Sequence, residues 1–231
     1  MTPMASKEMP KVSIIIPALN EGETLQFLIK EIKEKLENVL ENEIVVIDDG
    51  SSDATYVIAK EAGAKVIRHT EVKGFGSALM DGFRESSFSN LVVFDASGRY
   101  DPSSIINGVK PIIDDKADIT VGVRHYYSGE SVRGLMEAYL SLCLRVLYGL
   151  KLKDPLSSFI CLRRKALEGM TLYSNDFNIV LEILIRARAQ SRRIVEFPVG
   201  TRKRLETKSP RFHEILKSSP FQLYKTLFRN L

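Results

Sequence analysis

The 231-residue sequence holds two cysteines, Cys143 and Cys161, too few for a disulfide framework and without the paired spacing of a zinc site. No secretory leader opens the chain, so the expected compartment is the reducing cytoplasm. Long apolar runs are also missing. Stretches such as Ile14 to Leu19 fall far below the roughly 20 residues that span a bilayer. The three histidines, His69, His125 and His213, are scattered without metal-ligand spacing and receive no catalytic assignment. No Gly-x-x-x-x-Gly-Lys loop occurs, and Gly74-Phe75-Gly76 lacks the third glycine and the preceding strand of a dinucleotide fingerprint. ATP hydrolysis and NAD chemistry lose their support.

What is present is ordinary globular composition, 44% apolar and 27% charged, which argues against disorder, collagen-like repeats and coiled coils. The length suits one α/β domain with a sizeable core. The net charge of +4 is unevenly spread: from Ile183 onward 12 Lys and Arg face 3 Glu, a net of +9, leaving −5 for the residues before. Such a basic arm suits nucleic acid, phosphorylated substrates or an anionic membrane surface.

Val12 to Ile16 is a continuous β-branched run closed by Pro17 and reads as a fully buried strand of a parallel sheet. Glu21 to Leu40 follows with Leu25, Leu28, Ile29, Ile32 and Leu36 at helical spacing, and Ile44 to Ile47 repeats the strand pattern. The alternation continues with a helix over Asp53 to Ala62, a strand over Lys65 to Ile67, a helix over Ser77 to Phe88 and a strand over Leu91 to Phe94. A helix near Ser103 to Ile113 and a strand near Asp118 to Val123 complete it. Beyond Arg124 come a long amphipathic helix, Val132 to Tyr148, a short apolar segment near Phe159 to Leu162, a helix near Phe177 to Gln190 and a last strand, Arg193 to Val199. The expected fold class is α/β: an open, mostly parallel, doubly wound sheet flanked by helices, its ligand beyond the carboxyl ends of the strands. Phe212 to Leu231 reads as two short amphipathic helices broken at Pro220, packed on the domain or laid on a membrane surface.

Three acidic loops fall at the carboxyl ends of predicted strands: Asn20-Glu21, Asp48-Asp49-Gly50-Ser51-Ser52-Asp53, and Asp95-Ala96-Ser97. Asp53 alone suits helix capping. Together the loops outline a crevice whose carboxylates can hold ribose hydroxyls, a base N–H, or a metal bound to phosphates.

Ile16-Pro17-Ala18-Leu19-Asn20-Glu21, Val46-Ile47-Asp48-Asp49-Gly50-Ser51-Ser52-Asp53 and Gly74-Phe75-Gly76-Ser77-Ala78-Leu79 resemble, in order and spacing, the inverting family 2 glycosyltransferases with a GT-A fold. The group that matches best is the dolichol- or polyprenol-phosphate hexosyltransferases. Val121-Gly122-Val123-Arg124, Asp154-Pro155-Leu156-Ser157-Ser158-Phe159, Arg163-Arg164, the helix around Glu182, and Glu196-Phe197-Pro198 leading to Arg204 and Ser209 extend the resemblance. It covers roughly Val12 to Ser209. The domain expected on this basis is 12–210, with a polar extension at 1–11 and a basic amphipathic segment at 211–231.

The resemblance implies that Pro17, Leu19, Glu21 and Asp49, with their loop neighbours Asn20 and Asp48, line the pocket of a nucleotide-diphosphate sugar. It implies that Asp95 contacts the donor or its divalent metal, Mg²⁺ or Mn²⁺. Arg124, Arg164, Arg204 and Ser209 would surround the donor diphosphate and the acceptor phosphate. The reaction implied is transfer of a hexose, mannose or glucose, to a polyprenyl or dolichyl phosphate at the cytoplasmic membrane face. A nucleotide-sugar-binding partner subunit of a membrane protein, or a transferase using a soluble sugar acceptor, are the alternatives. Nucleic acid is not an expected partner, because the arm lacks regularly interleaved aromatics and a recognition-helix motif.

This chain departs from the family pattern at several points. Asp-x-Asp becomes Asp95-Ala96-Ser97, which replaces one metal carboxylate by a hydroxyl, a much weaker ligand for a hard cation. The usual Gln is Arg99, the usual Tyr is Leu19, a phosphate-side Arg is Glu137, and a Gly and a Lys around Ser209 are Thr207 and Pro210. A lipid monophosphate is already anionic and attacks without a general base, so the main demand is to neutralise the departing diphosphate. Arg99, two residues past Ser97, is positioned by spacing to supply that charge permanently.

Overall fold

The computed structural model describes residues 9–124 and 132–202, with the side chains of 132–137 excepted. Arg204, Ser209, the side chain of Glu137 and the helices expected over 212–231 therefore lie outside the described residues. In chain order the elements are β1 (Lys11–Ala18), α1 (Gly22–Leu36), β2 (Glu41–Asp48), α2 (Thr55–Glu61), β3 (Lys65–Arg68), α3 (Phe75–Glu85) and β4 (Asn90–Val93). Then follow α4 (Ser104–Ile113), β5 (Ile119–Arg124), α5 (Val132–Tyr148), β6 (Ile160–Arg163), α6 (Asn178–Ala189) and β7 (Ile194–Val199). The seven strands form one sheet in the order β3-β2-β1-β4-β6-β5-β7. Every pairing is parallel except those of β6, which runs antiparallel between β4 and β5.

Alternation along the buried strands sorts their side chains into two cores. Ile14, Ile16, Val46, Val92 and Phe94 meet α1 and α4 on one face, through residues such as Leu25, Ile29, Ile105 and Val109. Ile15, Leu91 and Val93 meet α3, α5 and α6 on the other, through Leu79, Phe83, Leu144, Ile179 and Ile183. Both faces of the sheet are covered, which is why its strands read as unbroken apolar runs. No helix among the described residues is long and apolar enough to cross a membrane.

Several boundaries differ from the sequence expectation: β2 starts at Glu41 rather than Ile44, and α3 spans Phe75–Glu85 rather than Ser77 to Phe88. The first helix ends at Leu36, not Leu40, because Asn38 takes a left-handed turn at φ 60° and β2 starts at once at Glu41. Pro17 does not close β1: the strand runs through it to Ala18, paired with Asp48.

Helix α3 lies so close to the sheet that a Cβ on Gly82 would stand 2.3 Å from the Cγ2 of Ile15. In an exposed helix Gly→Ala adds about 0.5–1 kcal/mol of stability. Here the expected sign is reversed, a loss of about 1–3 kcal/mol from overpacking. Urea denaturation of Gly82→Ala checks this, and a stabilised variant would mean that α3 does not pack as described.

Candidate active site

The crevice originates in one residue of β1. Ile15 turns its carbonyl toward β4 and accepts from Phe94 N, whereas Ala18 turns toward β2 and accepts from Asp49 N. By alternation residue 17 faces β4, and Pro17 has no N–H to carry that ladder on. The β1–β4 pairing accordingly stops at Ile15 and Val93, while β1–β2 continues to Ala18 and Asp48. The two halves of the sheet part at their carboxyl ends, where the acidic loops gather.

The first two loops are tied to each other. Asn20, at φ 54°, accepts through its side-chain oxygen from Ser52 N at 2.9 Å, and its own amide donates to Ser51 Oγ at 2.9 Å. The amide of Glu21 donates to Thr55 Oγ1. Its carboxylate lies 3.4 Å from the Thr24 hydroxyl, which also reaches the carbonyl of Ala96 in the third loop at 3.0 Å. Leu19 stands partly exposed beside them, and Pro17 is buried.

Asp48 is fully buried. Its Oδ1 accepts from Ser51 N at 3.0 Å, and its Oδ2 faces Arg68 Nε at 3.2 Å without hydrogen-bond alignment. Arg68 also donates to Ser51 O and stacks over Tyr56. Asp49 is drawn inward too: Oδ1 accepts from Lys73 N at 2.8 Å and meets His69 Nδ1 at 2.7 Å, and Oδ2 accepts from Gly74 N at 2.9 Å. Asp48 and Asp49 thus hold the turns that follow β2 and β3 through these contacts. His69, buried, bridges on to Asp81 of α3 at 2.9 Å.

Below Asp49, α3 docks on the segment before α6. Gly76 N donates to Asn175 O, and any Cβ there would sit 2.1 Å from Ser174 O. Glu182, 2% exposed, fixes that segment by accepting from Tyr173 N and Ser174 N, with Arg186 as its ion partner. Sequence reasoning assigned no role to Arg68, His69 or Asp81, whose partners lie on other elements and leave no local spacing to read.

The third loop holds the cation. Asp95, buried, accepts from Ser97 N at 2.8 Å through Oδ1. Arg99 reaches back across the loop, donating Nη2–H to Asp95 Oδ2 at 3.2 Å and Nε–H to Ser97 Oγ at 3.1 Å. The guanidinium thus spans the two side chains that correspond to the family's metal carboxylates. Among the described residues no group of three His, Cys, Asp or Glu side chains could hold a metal ion. A hard divalent cation wants several oxygen ligands of net negative charge. One carboxylate already paired with a guanidinium, beside one neutral hydroxyl, does not fit it.

Arg124, at the end of β5, lies on the same edge of the sheet but is bound bidentately by Asp154, Nε to Oδ2 and Nη2 to Oδ1, both at 2.6 Å. Arg164 is a correction. β6 runs antiparallel, so the arginine following it sits at the amino end of β4, roughly 16 Å along the strand from Asp95 at about 3.3 Å per residue. There it donates to the carbonyls of Phe83, Ser86 and Phe88, as a brace for that turn.

Asp53 caps rather than binds. It accepts from Gly22 N, the first residue of α1, and from the amide and hydroxyl of Thr55 at the start of α2. Burial works to raise its pKa, but these hydrogen bonds outweigh it and hold the carboxyl below its ordinary value of 3.8. A depressed carboxylate contributes stability that is present above the unfolded value and lost as pH falls through the folded one. Asn keeps only one of the two acceptor oxygens, so Asp53→Asn is expected to cost about 1 kcal/mol at pH 7, with the gap from wild type closing once the pH drops below about 4. Paired thermal melts at pH 7 and pH 3 measure it, and an equal gap at both would deny the charged cap.

The sequence profile described as Glycosyl transferase family 2 matches residues 13–169. Dolichol-phosphate mannosyltransferase of Pyrococcus furiosus is 36% identical over 209 residues, 86% of this chain and 59% of that protein, so the chain spans less than two thirds of that relative's length. The UDP-N-acetylglucosamine–dolichyl-phosphate N-acetylglucosaminyltransferase of Methanococcus voltae is 29% identical over 82% of this chain and 85% of its own. Among solved structures, glucosyl-3-phosphoglycerate synthase from Mycobacterium tuberculosis, in complex with Mn²⁺, UDP and phosphoglyceric acid, superposes with a TM-score of 0.75 at 22% identity, covering 95% of this chain and 78% of its own. Mannosyl-3-phosphoglycerate synthase from Rubrobacter xylanophilus gives 0.76 at 17% identity, covering 95% and 74%. At those identities the two structures share the fold, and the sequence matches carry the kinship further: the chain belongs to glycosyl transferase family 2.

Proposed function

We propose that the chain is an inverting glycosyltransferase that moves a hexose from a nucleotide-diphosphate sugar to a polyprenyl or dolichyl phosphate at the cytoplasmic face of a membrane. The family match and relatives named for dolichyl-phosphate transfer support it. In this reaction an oxygen of the lipid phosphate attacks the anomeric carbon from the face opposite the leaving group. The bond from that carbon to the diphosphate oxygen breaks, and its electrons leave with the nucleoside diphosphate. No proton need be removed.

The observation that favours a phosphate acceptor is the state of the carboxylates on this edge. Asp48, Asp49, Asp53, Asp95 and Asp154 all accept from N–H groups of their own chain. Each is thus engaged in holding its own loop rather than standing free as a general base. A sugar hydroxyl would require such a base; a phosphate monoester arrives with its charge already formed. The basic residues beyond Ile183 suit the anionic lipid and the membrane around it.

The test is a panel of GDP- and UDP-hexoses, each offered with a polyprenyl phosphate or with soluble sugar acceptors. Transfer from at least one donor to the lipid phosphate, and none to the soluble hydroxyls, is expected. Transfer confined to the soluble acceptors would overturn the proposal. So would nucleotide binding without transfer to any acceptor, which the partner-subunit reading predicts.

A further inference from the structure

We infer that Arg99 is the built-in cation of the catalytic loop, binding the diphosphate of the donor and stabilising it as it departs, in the place where the family's Asp-x-Asp pattern would recruit a divalent metal. The inference rests on the glycosyltransferase reading above and adds the identity of the charge that serves the leaving group. Three independent observations point to it.

The first is placement. The guanidinium bonds Asp95 Oδ2 and Ser97 Oγ together, the two positions that match the ends of the family's Asp-x-Asp pattern. The second is charge. Replacing a carboxylate by the Ser97 hydroxyl removes one negative charge, and replacing a dication by a guanidinium removes one positive charge. The loop keeps the same balance by a different route, and a guanidinium matches a phosphate's oxygens with paired N–H donors. Two of its N–H groups are spent on Asp95 and Ser97, and the side chain, 30% exposed, has others to offer.

The third is rigidity. Arg99 O accepts from Arg202 N at 2.8 Å, and Asp101 N donates to Gly200 O at 2.9 Å. Between them Tyr100 bridges to Thr201, and its ring is buried against Phe94 and Phe159. The main chain that carries the arginine is therefore anchored on both sides, as an ordinary surface turn is not. Gly98 turns the chain at φ 67°, and among the described residues a Cβ there would meet nothing within 4 Å. Preorganised charge of this kind needs no rearrangement as the diphosphate develops its negative charge. Arg202, which pins this clasp, is itself held by Glu31 of α1 through two hydrogen bonds.

Calorimetry with GDP and with UDP, each in EDTA and in Mn²⁺, tests the inference, with electron paramagnetic resonance reporting bound Mn²⁺. One diphosphate is expected to bind wild type with affinities within about 3-fold in the two conditions, and without stoichiometric bound Mn²⁺. Arg99→Ala should weaken binding in EDTA by about 10- to 100-fold, the worth of charge-assisted hydrogen bonds. Arg99→Ala combined with Ser97→Asp should make binding depend on Mn²⁺ and bring up the bound-metal signal. Wild-type binding that requires Mn²⁺, or an Arg99→Ala variant with unchanged affinity in EDTA, overturns the inference and leaves the donor reading standing. Failure of both diphosphates in both conditions overturns the donor reading, and this inference with it.

Discussion

A carboxylate withdrawn from water must be met by donors, and that constraint shapes this protein's working edge. Asp48, Asp49, Asp95, Asp154 and Glu182 are each nearly inaccessible to solvent. Each gathers a stretch of chain around itself: Ser51, the Lys73-Gly74 turn, Ser97, Arg124 and the Tyr173-Ser174 segment in turn, with Asp48 Oδ2 left to the charge of Arg68 alone. The acidic residues that mark the site in the sequence are therefore also the reason its loops hold a defined shape. On the same edge two arginines, Arg99 and Arg124, each face a buried carboxylate, Asp95 and Asp154.

That balance has a functional consequence. An arginine paired with a buried carboxylate is oriented before any ligand arrives, so the ordering cost of two long side chains is met in folding and not at binding. The same pairing tempers the field, so that on the proposed reading an anionic donor would meet local charges close to neutrality rather than a trap from which a diphosphate could not leave. Pro17 and the aromatic group of Phe94, Tyr100, Phe159 and Phe197 act further back. The proline ends the β1–β4 ladder and opens the crevice, and the rings fix the floor under the third loop.

Much of this was legible in the sequence because burial on both faces of a parallel sheet leaves unbroken apolar runs, and Val12 to Ile16 and Ile44 to Ile47 are such runs. The convergence of the acidic loops followed from the alternation of strand and helix. Direction was not legible. Three apolar residues and an arginine at Ile160–Arg163 do not say which way they run, and the antiparallel answer carries Arg164 to the far end of the sheet. Nor was side-chain commitment. Asp49 matches the family motif, yet its oxygens turn to His69, Lys73 and Gly74, residues too distant in sequence to suggest themselves. Arg99 is the contrary case, since a spacing of four residues from Asp95 lets the two meet within a single turn of chain.

We hold that the positive charge facing the donor diphosphate is part of the polypeptide. Its most direct measurement is a crystal structure of the wild-type protein with its nucleoside diphosphate, grown with Mn²⁺ and recorded at the manganese absorption edge. The account predicts the Arg99 guanidinium against the phosphate oxygens, still bonded to Asp95, and no anomalous peak beside that carboxylate. A manganese peak between Asp95 and the diphosphate, with Arg99 displaced, would contradict it.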